Sequence, residues 1–127
     1  MKKGFTLLEL IVVIIIIGIL GSIGFTQYAR VVEKGRIAEA KVLLGQVRGS
    51  QKAYELEMGV YAAVISDLAV GVPTVCTVTH YFQYSTSATG GTATRCSASG
   101  KTPNVSATYT VTLGHNSGAW GGSAGYY

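Results

Sequence analysis

From Leu10 to Ala29 the chain carries twenty consecutive residues without a charge, most of them Val, Ile and Leu. About twenty apolar residues are what an α-helix needs to cross the hydrocarbon core of a bilayer, so this segment is expected to enter a membrane. A basic start, Met1-Lys2-Lys3-Gly4, precedes it, followed by Phe5-Thr6-Leu7-Leu8-Glu9. A secretory signal would place a small-residue cleavage site after its apolar stretch. None follows here, and the segment is expected to be retained. Two lysines before the run and Arg30 after it leave orientation open, and the weight of Lys2 and Lys3 gives a reading with the amino terminus in the cytoplasm and the remainder outside.

Glu9 sits at the edge of this run. A carboxylate there costs a few kcal/mol unless paired, and is by default a functional residue. It also fits an ordinary local role, because Thr6 as N-cap and Glu9 three positions later form a capping box, and a first-turn acid offsets the helix dipole. The two readings are compatible. A cut between Gly4 and Phe5 would create an α-ammonium four residues from Glu9, and an ammonium and a carboxylate in lipid need each other.

Lys3-Gly4-Phe5-Thr6-Leu7-Leu8-Glu9-Leu10 followed by a Val/Ile run resembles the class III signal of type IV pilins and type II secretion pseudopilins. The resemblance implies processing at Gly4 and Phe5 by a membrane prepilin peptidase, which cuts after the glycine and methylates the new amine. It implies an assembly role for Glu9, paired with the amino terminus of a neighbouring subunit in a homopolymer built through the amino-terminal helix. It also implies an inner-membrane precursor handled by pilus assembly machinery, then an extracellular or periplasmic filament. Many family members carry a kinking proline where this chain has Thr26. Gly18, Gly21 and Gly24 stand in as weak points, each costing a helix about 1 kcal/mol relative to Ala.

A length of 127 residues implies one domain, of which residues 30–127 remain for a head able to bury a modest core. The boundaries read as a leader at 1–4, an apolar helix at 5–29, an amphipathic half of the same helix at 30–58, and a loop and sheet head at 59–127. In the second half Ile37, Ala40, Leu44, Val47, Tyr54 and Met58 recur at helical spacing, and Gly59 fits a left-handed cap. One continuous helix from about Phe5 to Met58 would be about 80 Å long. Gly45 and Gly49 make a G-x-x-x-G step, read as incidental outside lipid. Beyond Val75 the composition turns to Thr, Ser, Gly and Tyr with strand-like alternation. Strands are expected near 77–85, 93–97, 106–113 and 118–120, with turns at Thr89-Gly90-Gly91-Thr92 and His115-Asn116-Ser117-Gly118. The face carrying Tyr109, Val111 and Leu113 should meet the helix. The expected fold class is therefore α+β, a long amino-terminal helix packed in its second half against a small antiparallel sheet. The 121–127 tail either docks or stays mobile.

Net charge is +4, and Lys2 and Lys3 carry half of it; a chain cut after Gly4 keeps +2. Residues 30–58 mix six basic with four acidic groups, which reads as a solvated helical face and not a phosphate-binding stripe, so no specific nucleic acid is expected. Cys76 and Cys96 suit neither a zinc ribbon nor a C-x-x-C pair, and an exported head favours a disulfide over two buried thiols. His80, His115 and Asp67 come with no hydrolase elbow, no metalloprotease pair and no paired carboxylates, so no enzyme activity is expected. Gly100-Lys101-Thr102 fails as a P-loop because Arg95 stands where its first glycine belongs. No cofactor is expected, and with Asp67 the sole acid after Glu57 no calcium cage can be built from head side chains. Pseudopilins often bind calcium there, which tilts the reading toward a pilin. Asn104-Val105-Ser106 is a glycosylation sequon of low specificity. The reading is a structural filament subunit, with roles in adhesion, motility or DNA uptake undetermined. Its alternatives are a major pseudopilin and a monomeric membrane-anchored binding module.

Overall fold

A computed structural model describes residues 4–97, 101 and 108–127. Helix α1 runs without a break over Leu7–Met58, through Gly18, Gly21 and Gly24, so in a single subunit these glycines do not interrupt it. It ends where Gly59 adopts φ 78° and donates its N–H to the Glu55 carbonyl, the left-handed cap that only glycine enters without strain. A long loop follows, with one short 3-10 turn at Ile65–Asp67. Strands β1 (Phe82–Thr86), β2 (Gly90–Arg95), β3 (Thr110–Gly114) and β4 (Trp120–Gly122) form one antiparallel meander in that order. This is the α+β pilin fold.

The buried residues of α1 are Ala29, Glu33, Ile37, Ala40, Leu44, Val47 and Gln51, spaced by three and four along one face. Tyr54 is half-buried, while Met58 is 62% exposed and does not belong to the stripe; the buried step after Val47 is Gln51. Opposite them lie Phe82 and Tyr84 of β1, Ala93 of β2, and Val111 and Leu113 of β3, with Tyr109 just ahead of β3. The register aligns Tyr84 with Ala93 and Ala93 with Val111, a small residue between two larger ones. Helix and sheet pack closely at Gly91, where a Cβ would sit 3.2 Å from Leu44 Cδ2 and 3.4 Å from Val47 Cγ1.

Strand boundaries differ from the sequence reading for identifiable reasons. Gly90 and Gly91 open β2 instead of forming the turn, because the Ser87 side chain accepts from the Thr89 and Gly90 amides and closes the turn one step earlier. The segment 77–81 is not strand. Cys76 is bonded to Cys96 there, with 5.7 Å between the Cα atoms, so the disulfide ties the approach to β1 to the end of β2. Closing a loop of 20 residues stabilises the head by about 3 kcal/mol on the chain-entropy estimate. The 115–118 turn forms as expected, and β4 follows at Trp120. Gly122, at φ 127°, has no room for a side chain, since a Cβ would lie 2.2 Å from the Thr110 carbonyl oxygen. The tail docks, with the Tyr126 ring stacked on Tyr109 at 3.9 Å between centroids. The sequon at 104–106, Gly100 and Thr102, and the expected start of the third strand lie outside the described residues, as do Met1 to Lys3.

Candidate functional site

At the start of α1, Thr6 is extended (φ −81°, ψ 149°), and its hydroxyl oxygen accepts from the Glu9 amide at 3.3 Å. Glu9 reaches back, its Oε2 accepting from the Thr6 amide at 2.9 Å and from the Thr6 hydroxyl at 2.7 Å. The capping box is complete. It satisfies helix-terminal donors that a bilayer cannot solvate. It also aims the carboxylate toward the chain start, one residue beyond Phe5. Oε1 of Glu9 accepts no hydrogen bond among the described residues, which leaves one acceptor atom for a cation from elsewhere. Phe5 is 83% exposed, and the apolar side chains from Leu7 through Tyr28 project into open space, none of them under the head. The helix is long and apolar enough to cross a bilayer.

Where the helix leaves this segment, a clasp binds it to the sheet. Glu33 is buried, and its carboxylate accepts from Arg95 Nε at 2.5 Å, Arg95 Nη2 at 3.4 Å, Arg36 Nη1 at 2.9 Å and the Tyr109 hydroxyl at 2.7 Å. Arg95 uses its remaining donors on the carbonyls of Tyr81, Cys96 and Lys101, so its buried guanidinium has every N–H matched. Burial alone would raise the Glu33 pKa. The hydrogen bonds from Arg95 and Tyr109, with the charges of Arg95 and Arg36, outweigh it and hold the carboxyl below its ordinary range. Tyr109 is pushed well above the usual phenol range by burial and by the adjacent carboxylate. The clasp ties α1 to the end of β2 and to Tyr109 at the point where the apolar half leaves the head. Residues 30–58 are therefore not a uniformly solvated face.

At the far end Gln51 holds the long loop, its amide donating to the Ala62 carbonyl at 2.9 Å and accepting from the Ala62 amide at 2.8 Å. His115 is fully buried beside it. Its Nε2 lies 3.0 Å from both the Ser87 carbonyl and the Thr86 hydroxyl; because the carbonyl can only accept, the proton is assigned to Nε2 and Nδ1 is left bare. Nδ1 has no partner, and a proton placed there would be a buried, unsolvated charge. Burial first, then the charges of Arg48 and Lys52, lower the His115 pKa despite the Ser87 hydrogen bond. With the folded value below the unfolded one, the unfolded chain binds more protons in that window. Stability is full above the unfolded pKa of about 6.5 and falls as pH drops toward the folded value. Urea midpoints of the head should decrease between about pH 7 and pH 5, and His115→Gln should flatten that slope. A His115→Gln slope equal to wild type would assign the pH dependence to other groups.

Structure thus places Glu9, Gly4 and Phe5 together at one tip and the Cys76–Cys96 bond in the head, far along the helix from it. His80 and Asp67 join no cluster, and among the described residues no group of acids, histidines or cysteines is arranged to hold a metal. Sequence reasoning missed Glu33, Arg95, Tyr109 and Gln51 as a positioning set. A signal existed: Arg95 is a lone charge two residues from Ala93 on the inward phase of a strand, and an inward charge requires a partner.

Residues 1–25, the stretch containing the capping box of Thr6 and Glu9, match the family described as Prokaryotic N-terminal methylation motif. The chain is 42% identical over 62 residues to Fimbrial protein EcpC of Eikenella corrodens, covering 49% of this chain and 40% of that protein. It is 40% identical over 48 residues to Type IV major fimbrial protein FimA of Dichelobacter nodosus, covering 38% of this chain and 31% of that one. The aligned part therefore spans less than half the length of the curated relatives it matches.

Proposed function

We propose that the chain is the structural subunit of a type IV pilus-like filament, polymerising by bundling its apolar amino-terminal helices with the heads displayed outside. The observation that carries this reading is the apolar half of α1, which the chain's own head leaves entirely uncovered. Such a surface needs lipid before assembly and other copies after it. On this reading residues 1–4 are a leader removed by a prepilin peptidase, 5–29 form the filament core, and 30–127 form the head with its half of the helix. The precursor sits in the inner membrane with its amino terminus in the cytoplasm, and no substrate is turned over. The names of the fimbrial relatives and the match to the methylation motif support a pilin. A pseudopilin would share the assembly chemistry and differ in the length of its filament.

Processing is the direct test. Intact-mass spectrometry of the native protein should give a chain beginning at Phe5 with one added methyl group, and sheared fibres containing it should sediment from intact cells. A native mass that retains Met1 to Gly4 would remove the reading. Correct cleavage without fibres outside the cell would favour the pseudopilin.

A further inference from the structure

Two adjoining cavities, about 410 and 270 Å³, run along the base of the head between α1 and the docked tail, and share Lys34, Ile37, Gly125 and Tyr126. Together they form one groove. Arg30, Lys34 and Lys41 line the helix side, Tyr126 and Tyr127 the tail side, and Ile37 lies between. The Glu33 carboxylate also borders it, but its charge is taken up by Arg95 and Arg36. The groove therefore presents net positive charge, with Arg30 and Lys34 exposed one helical turn apart.

Its position along the helix is the second observation. Arg30 is the first charge after the uncharged run from Leu10 to Ala29, and twenty residues at 1.5 Å each span about 30 Å, the thickness of the hydrocarbon core. With Glu9 at one face of the bilayer, Arg30 lies at the other, and the groove opens at headgroup level. Tyr28, 69% exposed, lies at the same level as an interfacial aromatic.

We propose that this groove receives the phosphodiester headgroup of an anionic phospholipid of the outward leaflet while the subunit waits in the membrane. Arg30 offers a planar fork to two phosphate oxygens, Lys34 adds a point charge one turn above, and the acyl chains lie along the exposed apolar half of α1. The lipid sets the depth and tilt at which the subunit is held before it is withdrawn into a filament. This rests on the membrane-anchored reading above.

The test is native mass spectrometry of the full chain released from micelles containing phosphatidylglycerol and phosphatidylcholine of identical acyl chains. Wild type should keep phosphatidylglycerol in preference, and inorganic phosphate in excess should not displace it. An attraction of about 1 kcal/mol per basic side chain is about fivefold each, so Arg30→Gln with Lys34→Gln should lower retention at least about tenfold. Lys52→Gln, at the opposite end of the head, should change nothing. Equal retention of both lipids, unchanged retention in the double variant, or displacement by inorganic phosphate would each overturn the proposal. So would a double variant that keeps the lipid but loses filaments, since the groove would then be a contact between copies. Carbonate extraction of reconstituted vesicles separates the two levels. A chain that washes out fails the anchored reading and this inference together, whereas one that stays without lipid preference fails this inference alone.

Discussion

Replacing Glu9 with Gln should abolish filament formation while leaving the subunit folded, inserted and cleaved. The substitution is selective because Gln also serves at the third position of a capping box, so the contacts of that side chain with Thr6 survive and only the charge is lost. On the proposed mechanism the Phe5 ammonium of an incoming subunit enters an apolar bundle and needs a counter-ion. Leaving a buried charge without its partner costs about 3–5 kcal/mol, a factor of roughly 150 to 5,000 in each subunit addition. Fibres sheared from cells should fall below detection, while the membrane fraction retains cleaved subunit with Cys76 and Cys96 bonded. Wild-type fibre yield from the Gln variant would reduce Glu9 to a capping acid and end the charge-pairing mechanism.

The clasp at the base of the head carries the second large effect. Arg95→Met removes the main counter-charge of Glu33 and leaves its carboxylate buried with Tyr109 and Arg36. Breaking one side of a buried pair typically costs about 3–5 kcal/mol, whereas replacing both sides with apolar residues of similar volume is often close to neutral. Urea unfolding of the full chain in detergent, followed by near-ultraviolet circular dichroism of the head tyrosines, should show that loss for Arg95→Met. Much of it should return in the Glu33→Leu/Arg95→Met double variant. A single-variant loss under about 1 kcal/mol would show that Arg36 and solvent already neutralise Glu33.

The clasp and the assembly tip separate two requirements on one helix. Glu33 and Arg95 tie α1 to the sheet where the covered half of the helix begins, and the apolar half before it stays exposed. On the proposed assembly reading Glu9 acts at the end of an exposed projection of more than twenty residues, beyond the part of α1 that the head covers. Damage to the clasp should therefore lower the amount of folded head, and damage to the tip should lower assembly from a normal amount of head.

The amino-terminal half was legible in the sequence because every interaction that shapes it is local. The uncharged run marks the apolar segment of the helix by a length that matches a bilayer, and the box of Thr6 and Glu9 spans three residues. The left-handed cap at Gly59 needs only the conformational freedom of glycine. The inward face of β3 was legible too, since alternation of Val111 and Leu113 with threonines has period two whatever lies opposite. Strand ends were not, because Gly90 and Gly91 carry the composition of a turn. They belong to β2 because Ser87 closes the turn before them, and at Gly91 the helix packs so near that an added Cβ would lie 3.2 Å from Leu44, a distance no local rule contains. The charges of α1 show the same division. Glu33 and Arg36 sit in one mixed run, yet burial of Glu33 follows from Arg95, 62 residues away, and from Tyr109, 76 residues away. Sequence alone determined that this chain has an apolar helix to be covered and an acid at its tip. Only the tertiary structure decided which other charges leave water, because desolvation depends on what packs against a residue and not on its neighbours along the chain.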